Sequence, residues 1–181
     1  DMIFATYSIT DSRKKTVDFA GPYYVAGQDL LVRADNTDIN GPDDLNGKNL
    51  CSVTGSTSAQ KVQEKFAKNV NLVKQNSYSD CVVALNGGVV DAVTTDGIIL
   101  AGLASTKANK GKLRVVGAPF TTERYGVGLP KGTDKCEAVN NAINEMVADG
   151  TWEKLVTKYT EGTGYHYNTE ANPPSPGASC A

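Results

Sequence analysis

Apolar positions along the 181-residue chain fall into short runs and helical stripes separated by glycine, proline and asparagine. Residues 29–32, an apolar run after Gly27, predict a strand. Residues 41–48 carry turn chemistry and a helix start, and residues 49–53 predict a second strand. A glycine-hydroxyl loop at 54–58 joins that strand to an amphipathic helix with Val62, Phe66 and Val70 on its inner face. A weak strand at 71–73 precedes a helix over 78–86, where Cys81, Val82 and Leu85 share a face and Gly87-Gly88 end it. Residues 89–94 read as a buried strand, with Thr95-Asp96 at its C-terminal end and a helix over 98–103 beyond. Residues 113–116 predict a further strand that leads through 117–120 into 125–129. Cys136, Val139, Ile143 and Val147 stripe a helix from about 133 to 149, and Trp152, Leu155, Val156 and Tyr159 stripe the next. Residues 162–181, with Pro173, Pro174 and Pro176, read as an extended tail.

Two βαβ-type units between Leu50 and Val116 predict one compact α/β lobe with a mostly parallel sheet. The pieces on either side then belong to a second lobe. The expected division is 1–25, 26–120 and 121–181, the last piece returning to the lobe of the first.

The opening stretch adds chemistry to this pattern. Thr6, Ser8 and Thr10 lie at period two, so an extended backbone from Ile3 puts all three hydroxyls on one face, with Phe4 and Ile9 as anchors. Arg13 follows just beyond the strand end. Its planar fork of donors matches a carboxylate and suits an anionic or zwitterionic small molecule; the plainer alternative is a solvated arginine in a turn. Ser56 and Thr57 open the helix after the glycine-hydroxyl loop, where free backbone N–H groups make an anion site, or the hydroxyls simply cap the helix. Asp96 ends a strand, where ligands of open α/β sheets collect and where a carboxylate can pair with an ammonium; its plainer role is a helix N-cap.

Composition narrows the options. A 40% apolar and 21% charged chain is that of an ordinary globular protein, and it has no apolar run long enough for a membrane helix. Its N-terminus is not a signal sequence, so any export signal is expected to have been removed. The net charge of −2, with scattered lysines, predicts no nucleic-acid partner and no acidic membrane surface. The four cysteines lack a C-x-x-C and there is one histidine, so no metal site is predicted. Of the three pairings possible, Cys51 with Cys81 and Cys136 with Cys180 is favoured, because each pair falls in one predicted segment. Two disulfides imply an oxidising compartment, and four buried free thiols are the alternative.

The string ATYSITDSRKKTVDFAGPYY, with its S/T-x-S/T-x4-R followed by an aromatic Pro-Tyr segment, resembles the polar amino-acid substrate-binding proteins of ABC importers. Gly55-Ser56-Thr57, Thr94-Thr95-Asp96 and the closing ADGTWEKLVTKY are similar to later elements of the same family. The resemblance implies the two-lobed periplasmic-binding-protein type II architecture, a ligand in the cleft between lobes, no catalysis and no cofactor. It also implies roles. Arg13 forks the α-carboxylate, Thr6 and Ser8 add hydrogen bonds, Ser56 and Thr57 cover the carboxylate from the other lobe, and Asp96 pairs with the ammonium. Thr6 stands where many relatives have serine and Ser56 where many have threonine, and both keep the hydroxyl.

The cysteine pattern and the V-D-A-V-T-T-D string most resemble glutamate-binding lipoproteins of high-GC Gram-positive bacteria, which makes glutamate the first ligand. The partners implied are an ABC permease and, through a lipid anchor absent from this chain, the membrane; the compartment is extracytoplasmic. Family members carry further βαβ repeats ahead of the TYSIT-like segment, so the chain is expected to cover one lobe and the last part of the other. The segment from Ile9 to Gly27 is also similar to ionotropic glutamate receptor ligand-binding domains. A sensor input domain and a cyclohexadienyl dehydratase-like enzyme on the same fold are the remaining alternatives.

Overall fold

The computed structural model describes residues 1–66 and 68–181. They divide into two units. One comprises Asp1–Ala26, Thr122–Glu161 and His166–Ala181, and the other Gly27–Thr121 with the short piece Gly162–Tyr165.

In the first unit, β1 (Val17–Ala26) pairs antiparallel with β7 (Glu123–Pro130), in register from Val17 opposite Pro130 to Ala26 opposite Glu123. The register shifts between Ala20 and Tyr24, where the peptide bond between Gly21 and Pro22 is cis. Helix α4 (Cys136–Ala148) packs on β1 and buries Ile143 beside Ala20, Val127 and Leu129. Helix α5 (Thr151–Thr160) contributes Trp152, whose ring stacks on Tyr24 and whose Nε1 donates to the Tyr23 carbonyl at 2.7 Å. The expected stripe of α5 does not otherwise face a core. Leu155 is 38% and Tyr159 74% exposed and Val156 is half-buried, so Trp152 is the one fully buried residue of the helix.

The second unit is built on five strands: β2 (Gln28–Arg33), β3 (Asn49–Val53), β4 (Asn71–Gln75), β5 (Ala92–Asp96) and β6 (Leu113–Val115). Their order is β4-β3-β5-β2-β6. β3 runs parallel to β4 and β5, while β2 runs antiparallel to β5 and β6. The sheet is thus mostly parallel, with β2, the run at 29–32, inserted against the grain. Strand alternation splits the apolar side chains between two faces. Leu30, Leu50 and Ala92 meet Val62 of α1 (Thr57–Lys65) on one side. Leu31, Cys51 and Val93 meet Leu85 of α2 (Tyr78–Asn86) and Leu100 of α3 (Gly97–Ser105) on the other. A strand buried on both faces reads as a continuous apolar run, which is why β2 was visible in the sequence.

Further expectations are corrected. Helix α1 ends at Lys65, so Phe66 is its C-cap and Val70 lies beyond it rather than on its inner face. The segment from Ile3 is not a continuous strand: it makes isolated bridges at Ile3 and Ser8 and bends between them, leaving Thr6 exposed and Ser8 buried. β5 begins at Ala92 rather than Val89, because the Val89 N–H closes the end of α2 on the Ala84 carbonyl and its side chain is exposed. Residues 42–45 form a single 3-10 turn rather than a longer helix.

Both disulfides join the pairs favoured from the sequence. Cys51 is bonded to Cys81, tying β3 to α2, and Cys136 to Cys180, tying the start of α4 to the tail.

Candidate functional site

The opening segment lies along β7. Ile3 and Gly128 exchange backbone hydrogen bonds at 2.8 and 2.9 Å, the Gly126 N–H donates to the Tyr7 carbonyl at 3.0 Å, and Ile9 N–H donates to the Arg124 carbonyl at 2.8 Å. So close an approach requires glycine on β7. A Cβ at Gly126 would meet Ile9 Cγ1 at 2.8 Å and the Ala20 carbonyl at 2.9 Å, and one at Gly128 would meet the Tyr7 ring at 2.9 Å.

This seating fixes two of the three candidates in the first unit. The Ser8 hydroxyl donates to Glu123 Oε2 at 3.0 Å in a buried setting. Its carbonyl accepts from Arg13 Nη1 at 2.9 Å. The Arg13 guanidinium also lies over the Tyr7 ring, Cζ 4.4 Å from the centroid, and its backbone N–H donates to Thr10 Oγ1 at 3.2 Å. A guanidinium has five N–H donors, and the Ser8 carbonyl takes one. The aromatic face and that one bond hold the fork in a fixed direction without an ion pair to a carboxylate among the described residues. Thr6 is exposed at the bend and takes no part in these bonds.

The second unit brings Ser56, Thr57 and Asp96 to one end of its sheet. β3 and β5 are parallel neighbours, so the residues that follow them emerge side by side. Ser56 and Thr57 open α1 immediately after β3, and Asp96 is the last residue of β5 and the N-cap position of α3. The plainer roles are not taken up. Neither the Ser56 hydroxyl nor the Asp96 carboxylate makes a side-chain cap bond to its helix. The Ser56 hydroxyl instead meets Ser52 Oγ at 3.1 Å, and Ser52 Oγ donates to the Thr94 carbonyl at 3.0 Å. Asp96 is 6% exposed at the N-terminus of α3.

Beneath them lie residues that the sequence reading passed over. Gln28, opposite Asp96 across β2 and β5, is fully buried; its Nε2 donates to the Ser58 carbonyl at 2.9 Å and to Thr94 Oγ1 at 2.8 Å. Thr94 Oγ1 in turn donates to the Asp29 carbonyl at 3.0 Å. A glutamine and an aspartate opening a strand whose centre is Leu30-Leu31-Val32 were the available signal, since buried polar groups need a reason. Asp29 accepts from the N–H groups of Leu30 at 2.7 Å and Gly117 at 3.1 Å. Burial pushes its carboxyl above the usual range, and these backbone donors only partly offset that.

Taken unit by unit, the first offers a directed guanidinium, and the second a helix N-terminus with hydroxyls beside a buried carboxylate. These are complements of a carboxylate and an ammonium. No cluster able to hold a metal occurs among the described residues.

The family described as bacterial extracellular solute-binding proteins, family 3, matches residues 1–162. The glutamate-binding protein GluB of Corynebacterium efficiens is 47% identical over 165 residues, covering 87% of this chain and 55% of that protein. The chain therefore spans about half the length of the curated relatives it matches. Among solved structures, an ancestral arginine-binding protein bound to glutamine is similar with a TM-score of 0.79 at 38% identity, over 88% of this chain and 70% of that one. The GluR0 ligand-binding core from Nostoc punctiforme, in complex with L-glutamate, is similar with a TM-score of 0.78 at 30% identity, over 88% and 72%. These neighbours have the type II periplasmic-binding-protein architecture expected from the sequence.

Proposed function

The chain belongs to the bacterial extracellular solute-binding proteins, family 3, and on that premise we propose that it captures a polar amino acid, glutamate first, for an ABC importer. The observation that carries the reading is the guanidinium of Arg13, held on the Tyr7 ring and the Ser8 carbonyl with most of its donors uncommitted. Arg13 takes the α-carboxylate, Ser8 steadies Arg13 through its carbonyl, the exposed Thr6 hydroxyl adds a hydrogen bond, Ser56 and Thr57 hold the same carboxylate with the N-terminus of α1, and Asp96 takes the ammonium. Buried ligand charges need all of these bonds, or desolvation defeats binding. Glutamate is favoured by the name of the 47% identical relative. The protein has no catalytic role in this reading; its partner is a membrane permease, and a lipid anchor holds it at the cell surface. Two disulfides suit that oxidising setting.

Calorimetric titration of the full-length protein tests the reading. Glutamate is expected to bind more tightly than neutral amino acids, and equal affinities would remove the glutamate assignment. Arg13→Ala is expected to weaken binding by about 3 kcal/mol, on the order of a hundredfold, as the charge-assisted bonds are lost. Arg13→Lys recovers only part of this, because an ammonium lacks the fork. Unchanged affinity in Arg13→Ala would remove the clamp.

A second reading rests on the likeness to the GluR0 core, a ligand-binding core in complex with L-glutamate. In that reading the same residues hold the same ligand, and the readout is a receptor rather than a permease.

A further inference from the structure

We infer that Gln28 is a positioning residue for amino-acid capture, holding the first turn of α1 against the end of β5 through an amide whose own oxygen is left without a donor. The inference rests on the reading of Ser56, Thr57 and Asp96 as ligand contacts. Gln28 is 0% exposed, both its Nε2 hydrogens are used, and Oε1 has no hydrogen-bond partner among the described residues. An unpaired buried acceptor weighs against folding. A side chain chosen for stability alone would not leave one there.

The two bonds that Gln28 does make are the ones that set geometry. One reaches Ser58, in the first turn of α1, next to Thr57; the other reaches Thr94, two residues before Asp96 on β5. Ser52 spans the same gap a second time, from the Thr94 carbonyl to the Ser56 hydroxyl. Gln28 and Ser52 together form a polar brace that fixes the hydroxyl-bearing helix start relative to the strand that carries the carboxylate. Groups that meet a ligand need such support to within fractions of an ångström.

The arrangement separates stability from binding. Replacing Gln28 with methionine, an unbranched side chain of similar length, removes the orphan acceptor and strands nothing. Ser58 O still accepts from the N–H four residues on in the helix, and the Thr94 hydroxyl still donates to the Asp29 carbonyl. Gln28→Met is therefore expected to melt at or above the wild-type temperature while binding glutamate about three- to tenfold more weakly. Because the brace acts through the α1 start, adding Ser56→Ala is expected to cost less in Gln28→Met than in wild type.

Thermal melting and calorimetric titration of the full-length protein, with Ser56→Ala completing the double-mutant cycle, make the test. Wild-type affinity in Gln28→Met overturns the inference, and so does strict additivity. A Gln28→Met protein that fails to fold, or melts far below wild type, also overturns it, since the amide would then be structural. Amide hydrogen exchange without ligand keeps the test independent of the ligand reading. Lys61 and Val62, whose N–H groups bond back to the first turn of α1, should exchange faster in Gln28→Met while Cys51 on β3 does not. Unchanged exchange at Lys61 and Val62 overturns the brace even if wild type binds no amino acid.

Discussion

At the scale of single residues, Asp29 shows how burial and hydrogen bonding compete. Its carboxylate is 3% exposed and is opposed by backbone donors at Leu30, Ala118 and Gly117, yet burial prevails and the pKa is raised above 3.8. A raised folded-state pKa means that the folded chain holds the proton more tightly than the unfolded one. The stabilising contribution is fully present below the unfolded value and is lost as pH rises through the folded one. The ionised form at neutral pH therefore weighs against the fold. Asn at this position does not titrate, so it serves as the reference. The melting temperature of wild type minus that of Asp29→Asn is expected to fall as pH is raised from about 3 to 7. A difference that is flat or grows with pH would show that the backbone donors, not burial, prevail. Tyr23, half-buried, is also shifted upward by desolvation, to about 12, and stays neutral throughout that range.

At the scale of elements, β7 is shaped to hold a segment more than a hundred residues away in sequence. Gly126→Ala drives a methyl into the Ala20 carbonyl, which is backbone and yields little. It is expected to lower stability by about 1–3 kcal/mol in denaturant unfolding. Gly128→Ala presses on the edge of the Tyr7 ring and reaches Ile3 only at ordinary contact distance, so side chains rather than backbone must give. Its stability loss should be the smaller of the two. Its ligand affinity should nonetheless fall, because Tyr7 supports Arg13; equal affinity to wild type would mean that the ring is not a support. These two glycines also mark where sequence reading stopped. The helix at Tyr78–Asn86 and the strand β2 were legible because their cores are filled by their own apolar pattern. The hydroxyls of Ser56 and Thr57 and the carboxylate of Asp96 were legible through strand-loop-helix order and the family motif. The path of residues 3–10 was not, since period-two spacing describes a strand only if a partner lies alongside for its whole length. Its partner, β7, touches it at Ile3 and again at Ser8, and the bend between follows from that distant edge. Gln28 was missed because the apolar centre of β2, Leu30-Leu31-Val32, draws the eye from the two polar residues that open the strand.

At the scale of the molecule, each disulfide joins two residues of one unit, and the tail secured in the first unit has a definite task. β1 is a strand whose second edge has no neighbouring strand among the described residues. Such edges invite pairing with other chains unless they are covered. Here side chains and the backbone at Ala181 cover it. Asn140 Oδ1 accepts from the Gly21 N–H at 2.7 Å, Trp152 Nε1 bonds the Tyr23 carbonyl, and the Ala181 N–H bonds the Phe19 carbonyl at 2.8 Å. Asn172 stands in for a strand residue, accepting from the Val25 N–H and donating to the Val25 carbonyl, both at 2.8 Å. The tail itself has no helix or strand, so its placement depends on these bonds and on the link from Cys180 to Cys136, 44 residues apart. Loop-closure entropy gives that link about 4 kcal/mol. Replacing both cysteines by serine is expected to remove most of this, and to raise amide exchange at Gly21 and Val25 by a larger factor than at Cys51 on β3, whose own disulfide remains. The same variant should self-associate at concentrations where wild type is monomeric in sedimentation, because an uncovered β1 edge offers unpaired backbone groups. Retained protection at Gly21 and Val25 would mean that the asparagines hold the edge closed without the tail's covalent tie.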